Sequence, residues 1–145
     1  MPTRSARTLW AGGLQDGTGQ VELVSSGTGK FDVSFPRRVA ETAEGTSPEE
    51  LIGAAHSSCY SMALSAEIAN AGGTPESLDV TADVTLGPDP AGGLRISKIK
   101  LTVRAVAPGL DAEGFYTAAT AAKNGCPVSK ALAGVAEVEL DAELI

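Results

Sequence analysis

Hydrophobic and polar residues alternate along "SLDVTADVTL" (Ser77 to Leu86) and again along "LRISKIKLTVRAV" (Leu94 to Val106). In the second run Ile99, Leu101 and Val103 fall on one side, and Ile96, Lys98, Lys100, Thr102 and Arg104 on the other. A period of two is what a strand with one buried face requires. "GPDPAGG" between the runs is a turn by its Gly and Pro content. Shorter β-type runs stand earlier, at "GQVELVSS" (Gly19 to Ser26) and "KFDVSF" (Lys30 to Phe35). The Gly-Thr-Gly between them predicts a hairpin. "ARTLWAG" adds a further strand, Pro36 closes this section, and "RRVAETAEGT" reads as a loop.

The period then changes. "TSPEELIGAAHSSCYSMALSAEIANAGG" predicts a long helix from about Pro48 to Ala71. Ser47 is a good N-cap, Pro48 suits the first turn, and Glu50 stands three after Ser47 as in a capping box. Glu49 and Glu50 complement the positive end of the helix dipole, and Gly72 and Gly73 supply the stop. Apolar or small residues occupy almost every side, which predicts burial on most faces. Further on, "PGLDAEGFYTAATAAKNG" starts a helix near Asp111 and ends it at Gly125. "CPVSKALAG" starts a short one with Pro127 in its first turn, and "VAEVELDAEL" is a final strand. With no internal repeat or linker, the pattern describes one α+β domain over residues 1–145.

Composition agrees. The chain has 145 residues, 43% apolar and 20% charged, enough for a real core. Aromatics are only 4%, so Ala, Val, Leu and Ile fill most of it. The net charge of −7 argues against nucleic acid and against anionic membrane surfaces as partners. No apolar run follows the two N-terminal arginines, and no stretch is long enough to span a membrane. The expected compartment is the cytoplasm. In that reducing setting two cysteines are free, redox-active or catalytic rather than a structural staple.

Those cysteines carry the candidate chemistry. One His and two distant Cys make a poor metal site, and no metal or cofactor is expected. "GTGK" at Gly27 to Lys30 lacks the remainder of a phosphate-binding loop and reads as the hairpin turn. Cys59 shares a helical stripe with Ile52, Ala55, His56, Met62, Ala63 and Ala66, so it faces a core or an interface. Taken alone, that position suits a structural thiol. His56, one turn earlier, reads as a hydrogen-bonded interior histidine, since no side chain stands ready to orient it as a base. Cys126 is different: it falls at the N-cap of a short helix, where unpaired backbone N–H groups favour a thiolate. A buried thiol and a thiol at a helix start suggest a peroxidatic and a resolving pair, provided the fold brings them together.

"GTSPEELIGAAHSSCYSMALS" and "KNGCPVSKAL" resemble the OsmC/Ohr family of osmotically inducible and organic hydroperoxide resistance proteins. The similarity runs through "DVTADVTL", "ISKIKLTV" and "APGLDAEGF" and covers nearly the whole chain. "AAH" ahead of the cysteine matches the OsmC branch, where the other branch usually has Gly-Tyr. "GGLQDG", with Leu14 where the other branch has arginine, agrees. The resemblance implies an OsmC-like fold, with antiparallel sheets wrapped around long central helices in an intertwined homodimer. It implies a thiol peroxidase that reduces organic hydroperoxides, and hydrogen peroxide less well. Cys59 would be the peroxidatic thiol and Cys126 the resolving one. Arg38 would be the site arginine, with Arg37 as its alternative, and Glu49 the carboxylate that holds it. A dithiol of unspecified identity would return the electrons.

A buried thiol is a poor nucleophile unless something offsets its desolvation. Cys59 lies about three turns into its helix, beyond the useful reach of that helix's dipole. An arginine fixed by a carboxylate is the natural remedy. Glu49 precedes Cys59 by ten positions, roughly 15 Å and about 80° around the same helix. An antiparallel partner helix would instead bring one chain's Glu49 to the other's Cys59. The expectation is therefore an obligate dimer with composite sites. Ile52, Met62, Phe115 and Tyr116 are the expected apolar lining for bulky peroxides. Two other classes compete: a non-enzymatic thiol redox sensor or binding domain, and a Cys-His acyl-transfer enzyme with His56 as base.

Overall fold

The two kinds of periodicity become two three-stranded sheets and four helices. The computed structural model describes residues 1–145. They form two compact units, Met1–Leu51 and Ile52–Ile145.

In the first unit, β1 (Arg7–Ala11), β2 (Thr18–Glu22) and β3 (Lys30–Val33) form an antiparallel meander. The predicted hairpin is present, closed by the Leu23 N–H on the Gly29 carbonyl at 3.0 Å, with Gly27 at φ +67°. That left-handed conformation suits glycine. The loop predicted after Pro36 is in part a helical turn, α1 (Phe35–Arg38). Ser34 accepts from the Arg37 N–H and Pro36 occupies the first turn, so the capping signals overrule the β run into Phe35. β1 is exposed along its whole length, and Leu9 and Trp10 stand in the open.

The long helix α2 (Pro48–Asn70) starts as predicted, with the Ser47 hydroxyl accepting from the Glu50 N–H. It continues into the second unit with β4 (Ser77–Pro88), β5 (Leu94–Val106), α3 (Ala112–Gly125), α4 (Pro127–Ala131) and β6 (Glu137–Leu144). β4 and β5 are antiparallel, but β5 and β6 are parallel, which corrects the expectation of purely antiparallel sheets. The cause is the crossover through α3 and α4, which returns the chain in the same direction.

Ile99, Leu101, Val103 and Ala105 of β5 are fully buried, as their alternation predicts. The last three meet Tyr60, Leu64 and Ile68 of α2 and Phe115, Ala118, Ala119 and Ala122 of α3 in one core. Each large apolar side chain there contributes about 1.5–3 kcal/mol. On the other face, Lys98 pairs with Glu137 and Glu139, and Arg104 with Asp141. The predicted burial of α2 on most faces is not met within the chain. Its buried stripe is Gly53, His56, Tyr60, Leu64 and Ile68, whereas Ala54, Ala55, Ser58, Met62 and Ala66 are exposed. The sheet and α3 cover only one side of it. No helix is long and apolar enough to cross a membrane.

Gly53 lets α2 lie directly on the sheet. A Cβ there would stand 2.9 Å from the Ala82 carbonyl oxygen, which is backbone and cannot swing aside. Gly53→Val is expected to destabilise the fold by about 1–3 kcal/mol, measured by urea unfolding. Unchanged stability would refute the close approach.

Candidate active site

Pro127 creates the site's geometry locally. It disfavours helical backbone at the preceding residue, so Cys126 adopts φ −58°, ψ 125° between α3 and α4. Its own N–H closes α3 on the Ala122 carbonyl at 2.9 Å, and it then serves as N-cap of α4. No capping hydrogen bond of good geometry forms to its sulfur. The first-turn N–H groups of Val128 and Ser129 nevertheless face it.

Cys59 comes from α2, at the edge between the buried stripe and the exposed face. The two thiols meet: Cys126 Sγ lies 3.0 Å from Cys59 Sγ, and both are free. A disulfide needs about 2.05 Å, so closing one takes a shift of about 1 Å. Cys126 is completely buried and Cys59 is half-buried, the reverse of the ranking expected from sequence.

The pair shares its charge unevenly. Burial, then the hydrogen bond with Cys126, pushes the Cys59 thiol above the ordinary range, against a lowering contribution from the Val128 N–H. Burial also opposes ionisation of Cys126. There the hydrogen bond with Cys59, the N–H groups of Ser129 and Val128 and the Ser129 hydroxyl outweigh it, and its pKa falls below the ordinary value. Within one chain the first negative charge therefore belongs to Cys126. Next to Cys59, the Tyr60 hydroxyl donates to the Ala119 carbonyl at 2.8 Å and ties α2 to α3. Burial holds that phenol protonated.

His56 is an interior, hydrogen-bonded histidine, as its setting in sequence suggested. It is 1% exposed, with Nε2 2.7 Å from the Ser129 hydroxyl. Burial lowers its pKa and keeps it neutral. Its bond is to Ser129 and not to Cys59, which removes the ground for a Cys-His acyl-transfer site. Ser129 was not singled out in the sequence, although it stands three after Cys126, the N3 position that an N-cap side chain addresses.

Within the first unit Arg38 and Glu49 form a bidentate pair. Arg38 Nε donates to Oε1 and Oε2 at 3.0 and 3.2 Å, and Nη2 to Oε1 at 2.6 Å. Glu49 is buried, at 7% exposure. Between the two arginines left open by the sequence, it is Arg38 that Glu49 holds. Arg37 lines a separate cavity with Trp10, Gln20 and Asp32. The apolar lining expected for the site does not assemble in one chain. Phe115 is in the core, while Met62 and Tyr116 are 73% and 53% exposed.

The α+β frame thus brings two free thiols from separate elements into contact. The chain belongs to the OsmC-like protein family, whose pattern matches residues 41–141. It is 45% identical to the peroxiredoxin OsmC of Escherichia coli K12 over 141 residues, 97% of this chain and 96% of that protein. The organic hydroperoxide resistance protein OhrB of Bacillus subtilis is 31% identical over 112 residues, covering 77% of this chain and 79% of OhrB. The crystal structure of an organic hydroperoxide resistance protein from Elizabethkingia anophelis superposes with a TM-score of 0.77 at 27% identity, over 100% of this chain and 98% of that one. The higher identity and longer match to OsmC agree with the OsmC branch.

Proposed function

We propose that this protein is a thiol-dependent peroxidase that reduces organic hydroperoxides, and hydrogen peroxide less well, to alcohols. Near full-length similarity to a peroxiredoxin supports peroxidase oxidoreductase activity. The observation that carries the mechanism is the 3.0 Å contact between Cys59 and Cys126.

The Cys59 thiolate attacks the outer peroxide oxygen. An S–O bond forms, the O–O bond breaks, and the alkoxide takes a proton to leave as alcohol. Cys59 is then a sulfenic acid. Cys126 attacks that sulfur, the S–S bond forms and water leaves. A dithiol donor, reached in the cytoplasm, returns two electrons by thiol–disulfide exchange. No metal or organic cofactor enters the cycle. Cys59 is the peroxidatic thiol because Cys126 is completely buried and Cys59 is not.

Charge is the difficulty, since within one chain Cys126 ionises first. A guanidinium next to Cys59 would move the negative charge onto it and would also hold the peroxide oxygens. Arg38, fixed by Glu49, is that group, and an antiparallel partner delivers it. The exposed small-residue face of α2 and the uncovered first sheet support such an intertwined homodimer, with each site at the subunit interface. In that assembly the exposed Met62 and Tyr116 are placed to form the apolar lining.

The test is peroxide consumption with dithiothreitol as donor, comparing cumene hydroperoxide with hydrogen peroxide, and mass spectrometry of the oxidised chain. Faster turnover of the organic peroxide and a Cys59–Cys126 bridge are expected. Preference for hydrogen peroxide would remove the substrate assignment. Stoichiometric oxidation without turnover would mark a redox switch instead.

A further inference from the structure

The disulfide-forming step has a support that the cycle above does not use. His56 Nε2 lies 2.7 Å from the Ser129 hydroxyl, and Ser129 stands in the first turn of α4, three residues after Cys126, where its hydroxyl and N–H favour the Cys126 thiolate. Cys126 in turn touches Cys59 at 3.0 Å. Both His56 and Cys59 belong to α2, one turn apart, so the chain of contacts leaves α2, passes through α4 and returns to α2. The only buried side-chain polar atom without a hydrogen-bond partner in the protein is His56 Nδ1.

We infer that His56 and Ser129 are positioning residues for Cys126: the imidazole donates Nε2–H to the Ser129 hydroxyl, and the hydroxyl donates its O–H to the Cys126 sulfur, holding it as a thiolate aimed at Cys59. This rests on the reading of Cys126 as the resolving thiol. The direction of donation follows from valence. A thiolate only accepts, so the one hydroxyl proton of Ser129 points to sulfur and its oxygen must accept from His56. A neutral imidazole has a single N–H, so donation from Nε2 leaves Nδ1 as a bare lone pair. That is the atom found without a partner. The opposite tautomer would bury an unpaired N–H donor instead.

The step assisted is the attack of the Cys126 thiolate on the Cys59 sulfenic acid. The S–S bond forms and the S–O bond breaks, taking its electron pair to hydroxide. The hydroxide takes up the proton that Cys126 gave to solvent on ionising and leaves as water. Cys126 is oxidised, the sulfenic sulfur is reduced, and His56 stays neutral throughout. His56 and Ser129 also line a cavity of about 240 Å³ with Lys123, Asn124 and Lys130. The titratable groups facing this chain of contacts are Cys59 and Tyr60 on α2, Lys123 on α3 and Lys130 on α4, while β6 contributes only Val138.

Ser129→Ala and Ser129→Thr, with His56→Leu and His56→Gln, test this in full-length protein treated with one equivalent of cumene hydroperoxide. Quench-flow mass spectrometry separates sulfenic acid formation from disulfide closure. Ser129→Ala is expected to slow closure by about ten- to a hundredfold, the factor one hydrogen bond to a charged group carries, and to raise the pH midpoint of closure. Sulfenic acid formation should not slow, since a weaker hold on the Cys126 charge favours the Cys59 thiolate. Ser129→Thr, which keeps the hydroxyl, should close near the wild-type rate. His56→Gln should recover part of what His56→Leu loses. Wild-type closure with a wild-type pH midpoint in Ser129→Ala overturns the inference, as does equal slowing of both steps in Ser129→Ala and Ser129→Thr. If the wild type forms no disulfide, the peroxidase cycle fails separately. Ultraviolet titration of Cys126, the one remaining thiol in a Cys59→Ser background, then decides: a higher midpoint with Ser129→Ala supports the relay and an unchanged one refutes it.

Discussion

Cys59→Ser is expected to reduce peroxide consumption to the level without enzyme, whereas Cys126→Ser is expected to undergo one oxidation and then recycle poorly with dithiothreitol. The two outcomes should differ because the proposed cycle gives the thiols different work. A serine hydroxyl at position 59 does not ionise near neutral pH, and the half-buried helix face offers it no base, so no nucleophile remains. Replacing Cys126 leaves the attacking sulfur in place but removes the partner 3.0 Å away that would convert its sulfenic acid to a disulfide. The sulfenic acid then persists and is open to further oxidation. The checks are coupled peroxide consumption with dithiothreitol and mass spectrometry after one equivalent of peroxide. Equal, complete loss in both variants would contradict the division of roles. Wild-type turnover in Cys59→Ser would end the mechanism.

Arg38→Met should lower kcat/KM by about 10²–10³-fold, the usual cost of removing one preorganised donor from the site of developing charge. The pair it belongs to is already built: Arg38 Nε and Nη2 both reach the Glu49 carboxylate, which is itself buried. Glu49→Gln keeps the shape but weakens the grip, and the loss should be smaller. Raising the pH should restore part of the activity of Arg38→Met. Burial holds the Cys59 pKa up, and without the guanidinium a larger share of thiolate appears only at higher pH. Subunit mixing tests where the arginine acts. Co-refolding Arg38→Met with Cys59→Ser, both inactive alone, gives mixed dimers. If Arg38 serves the partner's Cys59, one site in each mixed dimer has both groups intact, and the mixture recovers about a quarter of wild-type activity. If Arg38 serves its own chain, every site lacks one group and the mixture stays inactive.

Much of the scaffold was legible in short-range pattern. Alternation through Leu94 to Val106 placed β5 at its observed bounds, because a strand with one buried face leaves that trace whatever it packs on. Ser47 and Pro48 placed the start of α2, and Asp111 that of α3, because caps satisfy the helix's own first N–H groups. The misreadings were of another kind. The turn at Phe35–Arg38 hid behind a β-like run, since Ser34 and Pro36 act through capping rather than hydrophobicity. The parallel pairing of β5 and β6 depends on the path of the intervening helices, which local pattern does not encode. Burial around α2 was overestimated because composition shows which faces are apolar and not which of them the chain covers.

The site divides along the same line. Sequence by itself determined the candidate groups: two thiols, one of them at a helix start prepared by Pro127, and an acidic pair at the head of α2. These follow from residue type and local backbone chemistry. Only the tertiary structure decided that Cys59 and Cys126 are 3.0 Å apart across 67 positions, that Arg38 rather than Arg37 is held by Glu49, and that His56 bonds to Ser129. Each of those contacts joins separate elements, and its geometry is set by how the elements are brought together. Local periodicity carries no record of that packing.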